Sequence, residues 1–130
     1  MSSIFSKIIA NEIPCYKIAE NEFCFSFLDI NPLQKGHVLV VPKKEVDQLF
    51  DLEDKTYFEL FSLSKTISSA IKKSFNCNRV GMAVIGLEVP HAHVHLIPIN
   101  HENDMNFSQP KKSLTSEEFE SIASKIIANL

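Results

Sequence analysis

The stretch VPHAHVHLIP, Val89 to Pro98, places three of the chain's five histidines at strict two-residue spacing. In an extended strand, residues i, i+2 and i+4 face the same side. The spacing predicts a strand over Ala92–Ile97, with His91, His93 and His95 lined along one face. Ala92, Val94 and Leu96 pack the other face, so the back of the strand is anchored in a core and the imidazoles sit on a rigid support.

Three uses of such a row compete. The first is a surface strand that carries histidines incidentally. Against it stands His37, a fourth histidine, which opens another apolar run directly after Gly36. The second is a metal-dependent hydrolase with Glu88 as an added carboxylate. At about 3.3 Å per residue, the Cα atoms of His91 and His95 lie ~13 Å apart, whereas metal–nitrogen bonds are about 2.0–2.1 Å. Two histidines at i, i+2 can converge on one ion, but three on a straight strand can hardly do so. No HExxH and no cysteine pair accompany them. The third is catalysis on an anion. One neutral imidazole nitrogen serves as nucleophile and neighbouring N–H groups donate to a phosphoryl oxygen. His93, flanked on both sides, is the natural nucleophile in that reading.

Upstream of the histidine row, His37–Val41 is an apolar, β-branched run stopped by Pro42, which reads as a buried strand. Cys15–Ala19 and Phe23–Leu28 read as a strand pair, and the alternation of Phe23, Phe25 and Phe27 fits an aromatic strand packed on both faces. Ile4, Phe5, Ile8 and Ile9 recur at helical spacing and predict a short helix that ends before Pro14. A long helix is expected over roughly 53–75, N-capped by Asp51, with Phe58, Phe61, Ile67, Ile71 and Phe75 on its inward face. Val80–Ile85 returns to strand character and joins the histidine strand through a tight connection at Gly86–Pro90. Residues 100–113 are polar and irregular. Thr115 and Glu118 form a capping-box pattern for a last helix through Ala128. Strands arriving in pairs favour an antiparallel α+β domain over a doubly wound sheet.

A chain of 130 residues suits one domain, here read as 1–130 with a core of 4–100 and an extension and helix over 101–130. A net charge of −3 gives no footprint for nucleic acid, and no apolar run is long enough to span a bilayer. The start, MSSIFSKIIANEIP, lacks the pattern of a secretory signal. Cys15, Cys24 and Cys77 are odd in number and lack a CxxC pattern, which reads as buried, reduced thiols and a cytoplasmic location.

His91-Ala92-His93-Val94-His95-Leu96-Ile97 resembles the His-φ-His-φ-His-φ-φ signature of the histidine-triad (HIT) family. IFSKIIANEIP (4–14), FSFLDINPLQKGHVLVVPKKEVDQL (25–49) and the long helix follow the same family's order of segments, so the resemblance covers roughly 4–100. It implies a five-stranded antiparallel sheet with a short N-terminal, a long central and a C-terminal helix, paired into a homodimer. It also implies hydrolysis or transfer of a nucleoside monophosphate group, of AMP or GMP type, through a nucleotidyl-histidine, with no cofactor. By position His93 matches the nucleotidyl acceptor, His91 and His95 its flanking partners, and His37 the upstream supporting histidine. Phe27, Leu28, Asp29 and Ile30 match the stretch that holds base and ribose, and Glu88 and Val89 complete the nucleotide-site candidates. A non-catalytic nucleotide-binding or signalling module is the alternative.

Two departures stand out. Leu87 and Glu88 occupy the place of the family's Gln and Ser before the triad, and an ionised Glu88 accepts hydrogen bonds where a Ser hydroxyl donates. Many bacterial relatives carry a zinc-binding CxxC near the start, where this chain has Ser3-Ile4-Phe5-Ser6. Serine hydroxyls do not replace thiolates for zinc, so no metal site is expected there.

Overall fold

A computed structural model describes residues 2–130. Helix α1 spans Ile4–Ile9 and begins at Ser3, whose hydroxyl accepts the Ser6 N–H. Strands β1 (Lys17–Glu20), β2 (Cys24–Leu28) and β3 (Val38–Pro42) precede helix α2 (Asp54–Ser74), and β4 (Arg79–Ala83) and β5 (Val94–Ile99) follow it. Helix α3, Ser116–Ala128, closes the chain, with both capping-box hydrogen bonds of Thr115 and Glu118 made. The five strands form one sheet in the order β1-β2-β3-β5-β4, antiparallel at every pairing. This is the expected α+β architecture.

The period of two sorts the strand side chains onto two covered faces. Cys24, Leu28, Val38, Val40, Val94 and Leu96 join a core with Leu60, Ile67 and Ile71 of α2 and Ile122 and Ile126 of α3. Fully buried aliphatic side chains such as these contribute about 1.5–3 kcal/mol each. Phe25, Phe27, Leu39 and Val41 point the other way and pack with Phe5 of α1. Both faces of β2 and β3 are therefore dry, which is why these runs are apolar but for Ser26, whose buried hydroxyl donates to the Ala19 carbonyl at 2.7 Å.

The long helix covers the expected span, but its N-cap and part of its inward face differ. Asp51 lies in a separate single turn, Leu49–Asp51, and Glu53 is the N-cap, without a side-chain cap. Burial of Leu49 and Leu52 draws that turn into the core and delays the helix. Of the expected inward residues Ile67 and Ile71 are buried and Phe61 and Phe75 half-buried against the core, whereas Phe58 is 66% exposed; Leu60, Leu63, Ser64 and Ala70 complete the inward face. Ser64 is tolerated there because its hydroxyl donates to the Leu60 carbonyl at 2.8 Å.

The other boundaries shift as well. β1 begins at Lys17, leaving Cys15 half-buried outside it; Cys24 and Cys77 are buried, and all three thiols are free. β4 and β5 are joined by residues 84–93, a longer connection than the expected tight turn. Gly36 has φ +99° and the Phe75 ring lies 2.6 Å from where a β-carbon would stand, so only glycine makes this turn into β3.

Candidate active site

A cavity of about 440 Å³ opens on the sheet face that carries Phe27 and Leu39. His37, His93 and His95 line it, with Phe27, Leu28, Asp29 and Ile30 from the β2 end and Glu88 and Val89 from the β4–β5 connection. Nine of the ten sequence-derived candidates meet there. His91 does not.

The histidine row is not one face of a strand. β5 starts at Val94, where pairing with β3 begins, so of the three only His95 lies in it. Ahead of that, the Ala92 N–H bonds the Val46 carbonyl at 2.7 Å and the His91 N–H bonds that of Val89 at 2.8 Å. The chain bends, and the fully buried His91 ring turns away from the cavity. Its Nε2–H donates to the Pro42 carbonyl (2.8 Å), and Nδ1 accepts the Ser3 hydroxyl (2.7 Å). His91 bears on the cavity through its backbone instead. The His93 Nδ1–H donates to the His91 carbonyl at 2.7 Å. A carbonyl only accepts, so the proton sits on Nδ1 and Nε2 keeps its lone pair. The Phe5 ring meets the His93 ring edge-on at 4.9 Å.

A second chain of hydrogen bonds sets His95. The Leu33 backbone N–H donates to His37 Nδ1 (3.0 Å), so neutral His37 carries its proton on Nε2. That Nε2–H faces His95 Nδ1 at 3.0 Å, which leaves the His95 proton on Nε2. One backbone amide thereby makes His95 a donor where His93 is an acceptor, and the two rings are 4.9 Å apart. Burial, reinforced by the neighbouring His95, takes the His37 pKa down to about 3, and burial with His93 nearby takes His95 down to about 4. Burial lowers His93 too, against the opposing His91 carbonyl. All three are neutral near pH 7.

Asp29 accepts the Asn31 N–H on Oδ1 at 2.8 Å, while Oδ2 lies 3.6 Å from His37 Nε2. With His37 neutral this is a polar contact and no ion pair. Burial raises the Asp29 pKa, which the Asn31 N–H and Lys111 counter.

Asp29, His37 and His95 bring ligand atoms within 4.8 Å of one another. The donor set fits a cation poorly. A metal on His37 Nε2 would require the proton on Nδ1, where the Leu33 N–H already points. Ser3 and Ser6, at the place of the CxxC, meet His91 and Glu45. Glu45 Oε1 accepts the Ser3 N–H (2.6 Å) and the Ser6 hydroxyl (2.7 Å), which hold its carboxyl down to about 2. These groups satisfy one another and include no thiolate, so they do not fit zinc.

Two cavity residues lie beyond the stretch that sequence reasoning connected to the site. Phe107 stands edge-on to His95 at 4.9 Å, and Lys111 lines the cavity. Both belong to the polar, irregular segment after β5, which carries no periodicity to betray them.

A sequence model of the HIT domain matches residues 10–102. The chain belongs to the HIT family. The HIT relatives include the adenosine 5'-monophosphoramidase of Schizosaccharomyces pombe, 33% identical over 100% of this chain and 99% of that protein. An adenylylsulfatase of Arabidopsis thaliana is 37% identical over 73% of this chain and 51% of its own length. Among solved structures, a HIT-like protein from Bartonella henselae superposes with a TM-score of 0.85 at 31% identity, covering 99% of this chain and 97% of that one. The HIT-domain match stops before Phe107 and Lys111.

Proposed function

We propose that this chain hydrolyses a nucleoside monophosphate derivative, of AMP or GMP type, through a nucleotidyl group carried on His93. The observation that carries the reading is the tautomer pair: a lone pair on His93 Nε2 and a proton on His95 Nε2, on adjacent rings lining one cavity. His93 Nε2 attacks phosphorus while the His95 N–H donates to a phosphoryl oxygen as charge builds there. The bond from phosphorus to the leaving atom breaks, its electron pair stays with the leaving group, and that atom takes a proton from solvent water. A second water then cleaves the phosphorus–nitrogen bond and restores His93. Asp29 Oδ2 accepts the ribose hydroxyls, and Phe27, Leu28 and Ile30 hold the base. Relatives acting on an adenosine phosphoramidate and an adenylyl sulfate support this substrate class.

The decisive experiment is a single-turnover trap with a labelled nucleoside phosphoramidate, quenched in base. An acid-labile adduct on His93 is expected, absent in His93→Ala, which stays folded. A folded protein that binds nucleotide and never labels is instead the non-catalytic module.

Residues 1–130 read as one domain, in the cytoplasm, as a homodimer. Among the described residues no helix is long and apolar enough to cross a membrane. Edge strand β1 is blunted by Lys17 and Glu20, whereas β4 and its extension expose Met82, Val84, Ile85 and Leu87. A second copy pairing along β4 would cover them, and sedimentation of Met82→Lys as a monomer would bear this out.

A further inference from the structure

The segment after β5 returns to the cavity and is fastened there. Gln34 Nε2–H donates to the Asp104 carbonyl (3.3 Å), and the Lys112 N–H donates to that of Pro32 (2.8 Å). Met105 packs where Gly81 of β4 lacks a side chain, and a β-carbon there would collide with its sulfur. Between these anchors, Phe107 lies against His95, and Lys111 reaches the cavity.

The Lys111 ammonium is held by its own loop. Nζ donates to the Phe107 carbonyl at 2.6 Å and to the Gln109 carbonyl at 3.2 Å. An ammonium has three donors, so one N–H remains for a ligand, on a nitrogen already fixed in place. Its charge is felt inside the cavity, at Asp29 and at His37.

The charge balance gives that position its meaning. Asp29 and Glu88 bring two carboxylates to the cavity, the three lining histidines are neutral, and Lys111 is the one cation among the described lining residues. A nucleotide phosphate entering here meets Glu88 where a hydroxyl donor would be welcome. We propose that Lys111 binds the phosphate of the nucleotide, supplying the positive charge that the histidines do not. This rests on the reading of the cavity as a nucleotide site. It makes the 102–112 segment part of the binding site, although the HIT-domain match ends at residue 102.

The test is equilibrium binding of AMP and of adenosine to the full chain, by calorimetry, for the wild type, Lys111→Met, Lys111→Arg and the control Lys112→Met. Lys111→Met should weaken AMP about tenfold or more and leave adenosine unchanged, with the loss greatest at low salt. Lys111→Arg should recover most of the AMP affinity, and Lys112→Met should match the wild type. Equal losses for AMP and adenosine would make Lys111 a prop for the cavity wall and overturn the proposal, as would an unchanged AMP affinity. Because binding is read without turnover, tight AMP binding with no adduct on His93 would sink the proposed reaction and leave Lys111 standing. A wild-type protein that binds no nucleotide would sink both.

Discussion

His37 Nε2 and His95 Nδ1 lie 3.0 Å apart, although 58 residues separate them in the chain. The bond transmits the orientation of the Leu33 amide to an imidazole that lines the cavity. His37→Phe keeps the ring and removes the donor, leaving the His95 tautomer unspecified. We expect kcat to fall about ten- to a hundredfold with KM little changed, and His37→Gln, which retains a donor, to recover part of it. Steady-state kinetics on one substrate check this; a loss confined to KM would contradict the relay.

Stability should fall on mild acidification. Burial holds His37 down to about 3 and His95 down to about 4 in the folded protein, both below the ordinary imidazole value of about 6.5. Between pH 6.5 and 4 the unfolded chain therefore binds more protons than the folded one, and stability rises with pH across that window. Each group contributes a slope of up to about 1.4 kcal/mol per pH unit, levelling off above the unfolded value. Urea melts at pH 4.5, 5.5 and 7 should show the fall, and His37→Gln should flatten it.

Ser3 caps α1, donates to His91 Nδ1 and offers its N–H to Glu45, so one hydroxyl joins the N-terminal helix to the bend before β5. Ser3→Ala removes the cap and strips a buried ring nitrogen of its partner. A loss of about 1–3 kcal/mol in denaturant unfolding is expected, larger than that of Ser6→Ala.

Glu88 lines the cavity, and its charge is felt at His93 and at Asp29. Glu88→Ser exchanges a repelling acceptor for a donor, so KM for phosphate-bearing substrates should drop severalfold, most at low ionic strength. It should also reduce any preference for amine leaving groups. Equal kinetics for the two proteins across a salt series would remove Glu88 from substrate choice.

The alternation of Phe25, Phe27, Val38 and Val40, the capping pair Thr115 and Glu118, and the histidine spacing were sufficient to specify an antiparallel α+β domain and to point at its reactive edge. Each depends on neighbours within a few residues, so each is legible in the chain itself. The destination of His91 is not of that kind. Even spacing predicts three exposed imidazoles, yet Ser3, 88 residues away, and the Pro42 carbonyl claim that ring for the interior. The same holds for the proton on His95, set by a backbone amide near a distant turn, and for Phe107 and Lys111, carried into the cavity by a loop with no periodic signal. Sequence alone determined which residue types could do this chemistry. Tertiary structure decided which nitrogen holds the proton and which charges face the ligand, because those follow from hydrogen bonds between segments that meet only when the sheet has closed.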